Sequence, residues 1–204
     1  MAADSINTQW DVIVHNKTLF VYLVGFLLLF NITHATGDDQ IVEQLLAGGR
    51  VLMIRHALAP GSGDPSNFKI GDCSTQRNLD HEGRAQARRI GQWLRERGIE
   101  SARVYSSQWC RCLETAELMG LGSVSELPAL NSFYERPQDR EPNLAALRAF
   151  LLEQPTNGGL IILVTHFVTI SGMTGEPVSS GEGVVMGLKN DVKHEVLGRM
   201  GFGF

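Results

Sequence analysis

Three short apolar segments of this chain stop in the same way. Val51-Leu52-Met53-Ile54 runs into Arg55-His56, Val104-Tyr105 runs into Ser106-Ser107, and Leu160-Ile161-Ile162-Leu163-Val164 runs into Thr165-His166. Apolar runs of this length read as buried strands. Segments with helical spacing lie between them. Ala87, Ile90 and Leu94 share one helical face, and Leu144, Leu147 and Leu151 share another. Strands alternating with helices predict an α/β fold with a largely parallel central sheet. In such a sheet the strand ends share one rim, and ligands bind there. The chain should therefore deliver two histidines and at least one arginine to a single edge.

The remaining elements follow from local signals. Asp39 to Ala47 reads as a short helix ended by Gly48-Gly49, and Asp80 as the N-cap of a helix that stops at Gly98. A helix over Trp109 to Met119 closes at Gly120, and Trp109 is expected in the core. Ser125 to Leu130 reads as a short strand, and Asn143 to Glu153 as a helix following Pro142. Val168 to Thr174 is a short helix, and Gly183 to Leu188 and Glu195 to Gly198 are the last strands. The stretch from Ala57 to Asn78 is a long loop rich in Gly, Pro, Ser and Asp, and loops of that length are usually functional or disordered.

With 204 residues, 43% apolar and 20% charged, the chain suits one globular domain or at most two. Its net charge of −4 gives no overall attraction for nucleic acid or anionic lipid, so an anion site must be local and no nucleic-acid partner is expected. The first residues stand apart. Leu19 to Phe30 is an uninterrupted apolar run preceded by Lys17, and the small residues Thr33 and Ala35 follow. That run is short for a membrane span and suits the apolar region of a signal peptide. Residues 1–35 are expected to be a cleaved signal peptide, with an uncleaved membrane anchor as the rival reading and a buried helix as a third. Residues 36–204 are the folded domain, and any membrane contact runs through the N-terminal segment alone.

The three cysteines, Cys73, Cys110 and Cys112, lie in the body of the chain. In an exported protein Cys73 would pair with Cys110 or Cys112, leaving one thiol over; three ordinary thiols is the alternative. A Cys73–Cys110 bond would tie the long loop to the helix that carries Arg111. The Cys-x-Cys pair has no second pair at zinc spacing, so no metal site is expected.

The rim residues suggest a chemistry. Arg55, Arg111 and the two imidazoles of His56 and His166, with Arg77 from the long loop, suit a tetrahedral oxyanion, most naturally phosphate. Ser62 and the backbone N–H groups of Gly61 and Gly63 are candidates for further phosphate contacts, with a plain surface loop as the alternative. A neutral imidazole in such a pocket can attack phosphorus.

These residues also fall into motifs. Arg55-His56-Ala57 resembles the Arg-His-Gly signature of the histidine phosphatase superfamily. Leu79 with Gly83-Arg84-Ala85-Gln86-Ala87 resembles its "L-x-x-x-G-x-x-Q-A" stretch. Ser106-Ser107, Arg111 and Thr115-Ala116 resemble "S-S-x-x-x-R-x-x-x-T-A", and Val164-Thr165-His166 resembles the strand carrying its second histidine. The resemblance runs from about Arg50 to Thr174. It implies a phosphoglycerate-mutase-like three-layer α/β sandwich with a mostly parallel central sheet flanked by helices. It also implies a phosphomonoester hydrolase that needs no metal or other cofactor and acts on a small-molecule phosphate ester. His56 would be the nucleophile that becomes phosphohistidine, with Arg55, Arg111 and His166 binding the phosphoryl oxygens. The wider pattern resembles an exported bacterial branch, which implies a periplasmic or secreted enzyme, or one anchored with its domain outside the cytoplasm.

Two departures bear on activity. Ala57 stands where the family has glycine. The proton donor is not fixed by a motif: Glu135, in Phe133-Tyr134-Glu135-Arg136, is the leading candidate and Glu182 the second. A phosphate-binding or interaction module that has lost turnover is therefore the alternative to an enzyme.

Overall fold

The structure is a computed structural model that describes residues 37–189 and 194–203; the expected signal or anchor segment lies outside the described residues. A six-stranded sheet forms the middle layer. In chain order the strands are β1 (Arg50–Arg55), β2 (Arg103–Ser106), β3 (Val124–Glu126), β4 (Ile161–Thr165), β5 (Gly183–Gly187) and β6 (Glu195–Met200). Their order across the sheet is β3-β2-β4-β1-β5-β6. The first four are mutually parallel, whereas β5 and β6 extend the sheet antiparallel beyond β1.

Alternation along the strands sorts their side chains onto two faces. Leu52, Ile54, Ile162 and Val164 meet helices α1 (Gly37–Leu46), α2 (His81–Glu96) and α3 (Cys110–Met119) on one side. Val51, Met53, Ile161 and Leu163 meet α4 (Arg140–Leu152) and α5 (Phe167–Thr174) on the other. β1, β4 and β5 are covered on both faces, which is why their sequences are apolar throughout rather than alternating. The predicted α/β sandwich with a mostly parallel sheet is the architecture found.

Helix ends follow the expected chemistry in part. Asp80 caps α2 by accepting from Gly83 N, and Gly120 closes α3 in the left-handed region at φ 64°. Two elements differ from the sequence reading. The strand expected over Ser125 to Leu130 ends at Glu126, and Pro128–Leu130 forms a 3-10 turn instead. Pro128 has no N–H to give a strand ladder, so pairing stops before it. Helix α4 begins at Arg140, ahead of Pro142. Proline is tolerated in a first helical turn, where its missing N–H would have had no partner within the helix.

Candidate active site

β1 and β4 are neighbours in register, with Arg55 opposite Thr165. The next residues, His56 and His166, therefore leave the sheet side by side. His56 N donates to Thr165 O at 2.9 Å, and Gly181 N donates to the carbonyls of Arg55 and His56 from the other flank. The two imidazoles meet edge to face with centroids 5.5 Å apart. β2 lies on the far side of β4, and Ser107 N donates to Val164 O. Helix α3 starts just beyond it and brings Arg111 to the same rim. The N-termini of α3 and α5 both lie at this edge, where their partial positive charge favours an anion.

The residues of the helical motif have identifiable work. Thr115 Oγ1 accepts from Ala57 N at 3.0 Å and donates to Arg111 O, fixing the chain just after the first histidine. Gln86 accepts from Leu58 N and donates to Ser180 O, clamping two rim loops to α2. Gly83 permits that approach: a Cβ there would stand 1.9 Å from Leu58 O. The methyl of Ala57, the departure from the family signature, is buried with Ala59, Leu79 and Ala87.

The tautomer of His56 follows from its partners. Nδ1 lies 2.8 Å from Ala57 O, and a carbonyl only accepts, so Nδ1 carries the proton. Nε2 is left with its lone pair, and it accepts from Arg111 Nε at 3.2 Å. Burial, then the charge of Arg111, pushes the imidazole pKa down to about 3, which keeps the ring neutral in ordinary buffers. His166 is held well below its ordinary pKa by burial first, then by His56 and the arginines. Its Nε2 lies 2.9 Å from Ser107 Oγ and 3.5 Å from Cys112 Sγ. Burial pushes that thiol up to about 12, so it stays protonated.

A cavity of about 390 Å³ opens onto these groups. Seven of the predicted site residues line it: Arg55, His56, Arg111 and His166, with Ser62, Arg77 and Glu135. Arg55 donates through Nη1 to Val178 O at 3.1 Å, while its buried Nε has no partner in the structure. Arg77 spends Nε on Gly63 O and Nη1 on Ala59 O, so it shapes the loop as well as lining the cavity. Burial, and next the field of Arg111, lowers the pKa of both Arg55 and Arg77. Glu135 is exposed and accepts from Asp64 N at 2.9 Å. Glu182 does not line the cavity: its carboxylate accepts from Ser179 N and Arg199. Among the described residues no cluster of His, Cys, Asp and Glu is arranged to hold a metal ion.

The long loop is held down at several points. A disulfide joins Cys73 in the loop to Cys110 at the start of α3, and Cys112 is the free thiol. Gln76 Oε1 accepts from Cys110 N, and Phe68 stacks on Trp109 with centroids 4.8 Å apart. Trp109 is buried as expected, but it also lines the cavity and touches the ring of His166.

Sequence reasoning missed Asp64. Its side chain is 6% exposed and pairs with Arg111, itself 4% exposed. Asp64 Oδ1 accepts from Arg111 Nη1 at 2.8 Å and Oδ2 from Nη2 at 3.1 Å; Arg77 N and Trp109 Nε1 complete its shell. Burial pushes this carboxyl up, but the hydrogen bonds from Arg111 and Trp109 outweigh it and hold the group below the usual carboxylate range. Within Gly63-Asp64-Pro65 the residue reads as ordinary turn chemistry, and nothing local points to a partner so far along the chain.

Comparison with known proteins agrees with this picture. Residues 51–138 match the family model of the histidine phosphatase superfamily (branch 1). No curated protein sequence matches significantly. Among solved structures, the protein histidine phosphatase SixA complexed with tungstate superposes with a TM-score of 0.52 at 19% identity, covering 75% of this chain and 97% of that one. The phosphoglycerate mutase from Thermus thermophilus gives 0.52 at 21% identity, covering 74% and 98%. A structure described as mycobacterial hydrolase 1 gives 0.55 at 15% identity, covering 72% and 94%. Residues 51–138 thus carry the match to the histidine phosphatase superfamily, the motif residues assemble at one rim, and the fold is shared with these solved structures.

Proposed function

We propose that the protein is a phosphomonoester hydrolase working through a phosphohistidine on His56. The observation that carries this reading is the state of His56. Its Nδ1 proton is committed to Ala57 O, and its Nε2 lone pair faces a cavity edged by Arg55, Arg77 and Arg111. Nε2 attacks phosphorus, the P–O ester bond breaks, and the phosphoryl group moves to the imidazole. Arg55, Arg111 and His166 bind its oxygens and stabilise charge as it develops. The alcohol leaves with a proton supplied by Glu135. Water then attacks phosphohistidine and gives a proton back to Glu135; the P–N bond breaks, inorganic phosphate leaves, and the neutral ring and the protonated acid are restored. No metal or other cofactor takes part in this scheme.

The substrate is a small phosphate ester. A cavity of about 390 Å³ lies within the size range of small-molecule sites, and Phe68, Tyr134 and Phe167 give it apolar walls. The SixA neighbour, whose structure holds tungstate, supports a pocket of this fold accepting a tetrahedral oxyanion. Export is part of the same proposal. The apolar run of Leu19 to Phe30 motivates it, and the Cys73–Cys110 bond suits an oxidising compartment. A mature N-terminus near Thr36 would support cleavage, and a full-length membrane-bound chain would support the anchor.

The test is hydrolysis of an aryl phosphate by wild type and His56→Ala, with and without EDTA. Turnover that survives the chelator and disappears in the variant supports the proposal. A silent wild type refutes it, because an aryl leaving group needs little help from an acid. The protein would then be a binding module.

A further inference from the structure

We infer that Asp64 is a positioning residue that fixes which edge of the Arg111 guanidinium meets the phosphoryl group; this rests on the proposed attack by His56. A guanidinium has five N–H bonds in a rigid plane. Asp64 takes one from Nη1 and one from Nη2, in the end-on bidentate manner. Arg77 O takes the second hydrogen of Nη1 at 3.2 Å. Two donors remain, Nε–H and the second hydrogen of Nη2, and they lie along the same edge of the planar group. Nε–H rests on His56 Nε2, the atom that must attack. The edge left free by Asp64 is therefore the edge beside the nucleophile.

The remaining contacts show which bonds yield. Asp64 is saturated by four donors, two of them from Arg77 N and Trp109 Nε1, and it is buried. The Arg111–His56 contact is a single 3.2 Å hydrogen bond to a neutral ring. A phosphoryl group entering the cavity displaces the weaker partner: Nε–H moves from Nε2 to a phosphoryl oxygen, and Nη2 supplies the second bond. That exchange frees the attacking lone pair as the substrate arrives. Without Asp64 the guanidinium fork would turn end-on to the phosphate. Ground-state binding would survive, but the alignment with the three equatorial oxygens of the transition state would be lost. The opposite role, an internal anion that substrate must expel from the Arg111 fork, is what the test separates.

The test compares inorganic phosphate with orthovanadate, which becomes five-coordinate on a nucleophile, as inhibitors of wild type and Asp64→Asn. Positioning predicts that orthovanadate inhibition weakens at least about tenfold more than phosphate inhibition, and that kcat falls while KM changes little. An expelled anion predicts tighter phosphate binding and an undiminished kcat; either result, or an unchanged inhibitor ratio, overturns the inference. A merely structural loss would weaken both inhibitors alike and also counts against it. If Asp64→Asn does not fold, Trp109→Phe removes one Asp64 donor and keeps the carboxylate. The inhibitor ratio should then shift in the same direction by a few fold, and an unchanged ratio overturns the inference. Wild-type hydrolysis is read in the same preparation. An inactive wild type removes the proposed function, whereas an active one with an unchanged ratio removes only the role of Asp64.

Discussion

Stability should fall on mild acidification, and His56 should account for much of the fall. In the unfolded chain a histidine takes up a proton near pH 6.5. In the folded protein burial and the neighbouring arginines lower that value to about 3. Between these limits the unfolded state binds a proton that the folded state refuses. Unfolding is therefore favoured as pH drops below 6.5, with a slope approaching about 1.4 kcal/mol per pH unit for each such group. Going from pH 7.5 to 4.5, His56 alone costs about 3 kcal/mol. His166 is shifted in the same direction and adds to the loss. Asp64 contributes little here. Its carboxyl is held low, so its stabilisation persists above the usual carboxylate pKa and is lost only as pH falls below that. The assay is urea unfolding of wild type and His56→Asn at both pH values. Asparagine cannot take up the proton, and its amide can still donate to Ala57 O. The variant should lose about 3 kcal/mol less than wild type over the interval, whatever its stability at pH 7.5. Equal losses in the two proteins would show that His56 is not held neutral by burial.

Two further outcomes follow from the loop and its acid. Glu135→Gln should reduce turnover of alkyl phosphates by about a hundredfold and of aryl phosphates by only a few fold, because an alkoxide needs the proton more; equal effects on both would remove Glu135 as the donor. Cys73→Ser opens a disulfide that spans 37 residues and should lower stability by about 2–4 kcal/mol. A denaturant midpoint unchanged from the oxidised wild type would contradict that.

The rim of the sheet was legible because its signal is local. An apolar run that ends in Arg55-His56 or Thr165-His166 states both its burial and what it delivers. Gly83, Gln86 and Thr115 were legible as motif positions, while their physical work, bringing the loop after His56 against α2 and α3, emerged only with the fold. Asp64 was not legible at all, since its environment is made by Arg111 and Trp109 from a different element. The strand order was equally hidden. Nothing in β4 says that it lies between β1 and β2, yet that insertion is what sets His166 beside His56. The strand expected up to Leu130 failed for a local reason: the missing N–H of Pro128 outweighed the apolar pattern around it.

The proposed chemistry begins at one atom, Nε2 of His56. Wild type mixed with an aryl phosphate, quenched in base within the first turnovers and digested for mass spectrometry, tests it most directly, because phosphohistidine survives base and not acid. A phosphoryl group is expected on the peptide containing His56, lost in His56→Ala and decaying as inorganic phosphate appears. A label on His166 instead, or steady hydrolysis by an enzyme that never carries a label, would contradict it.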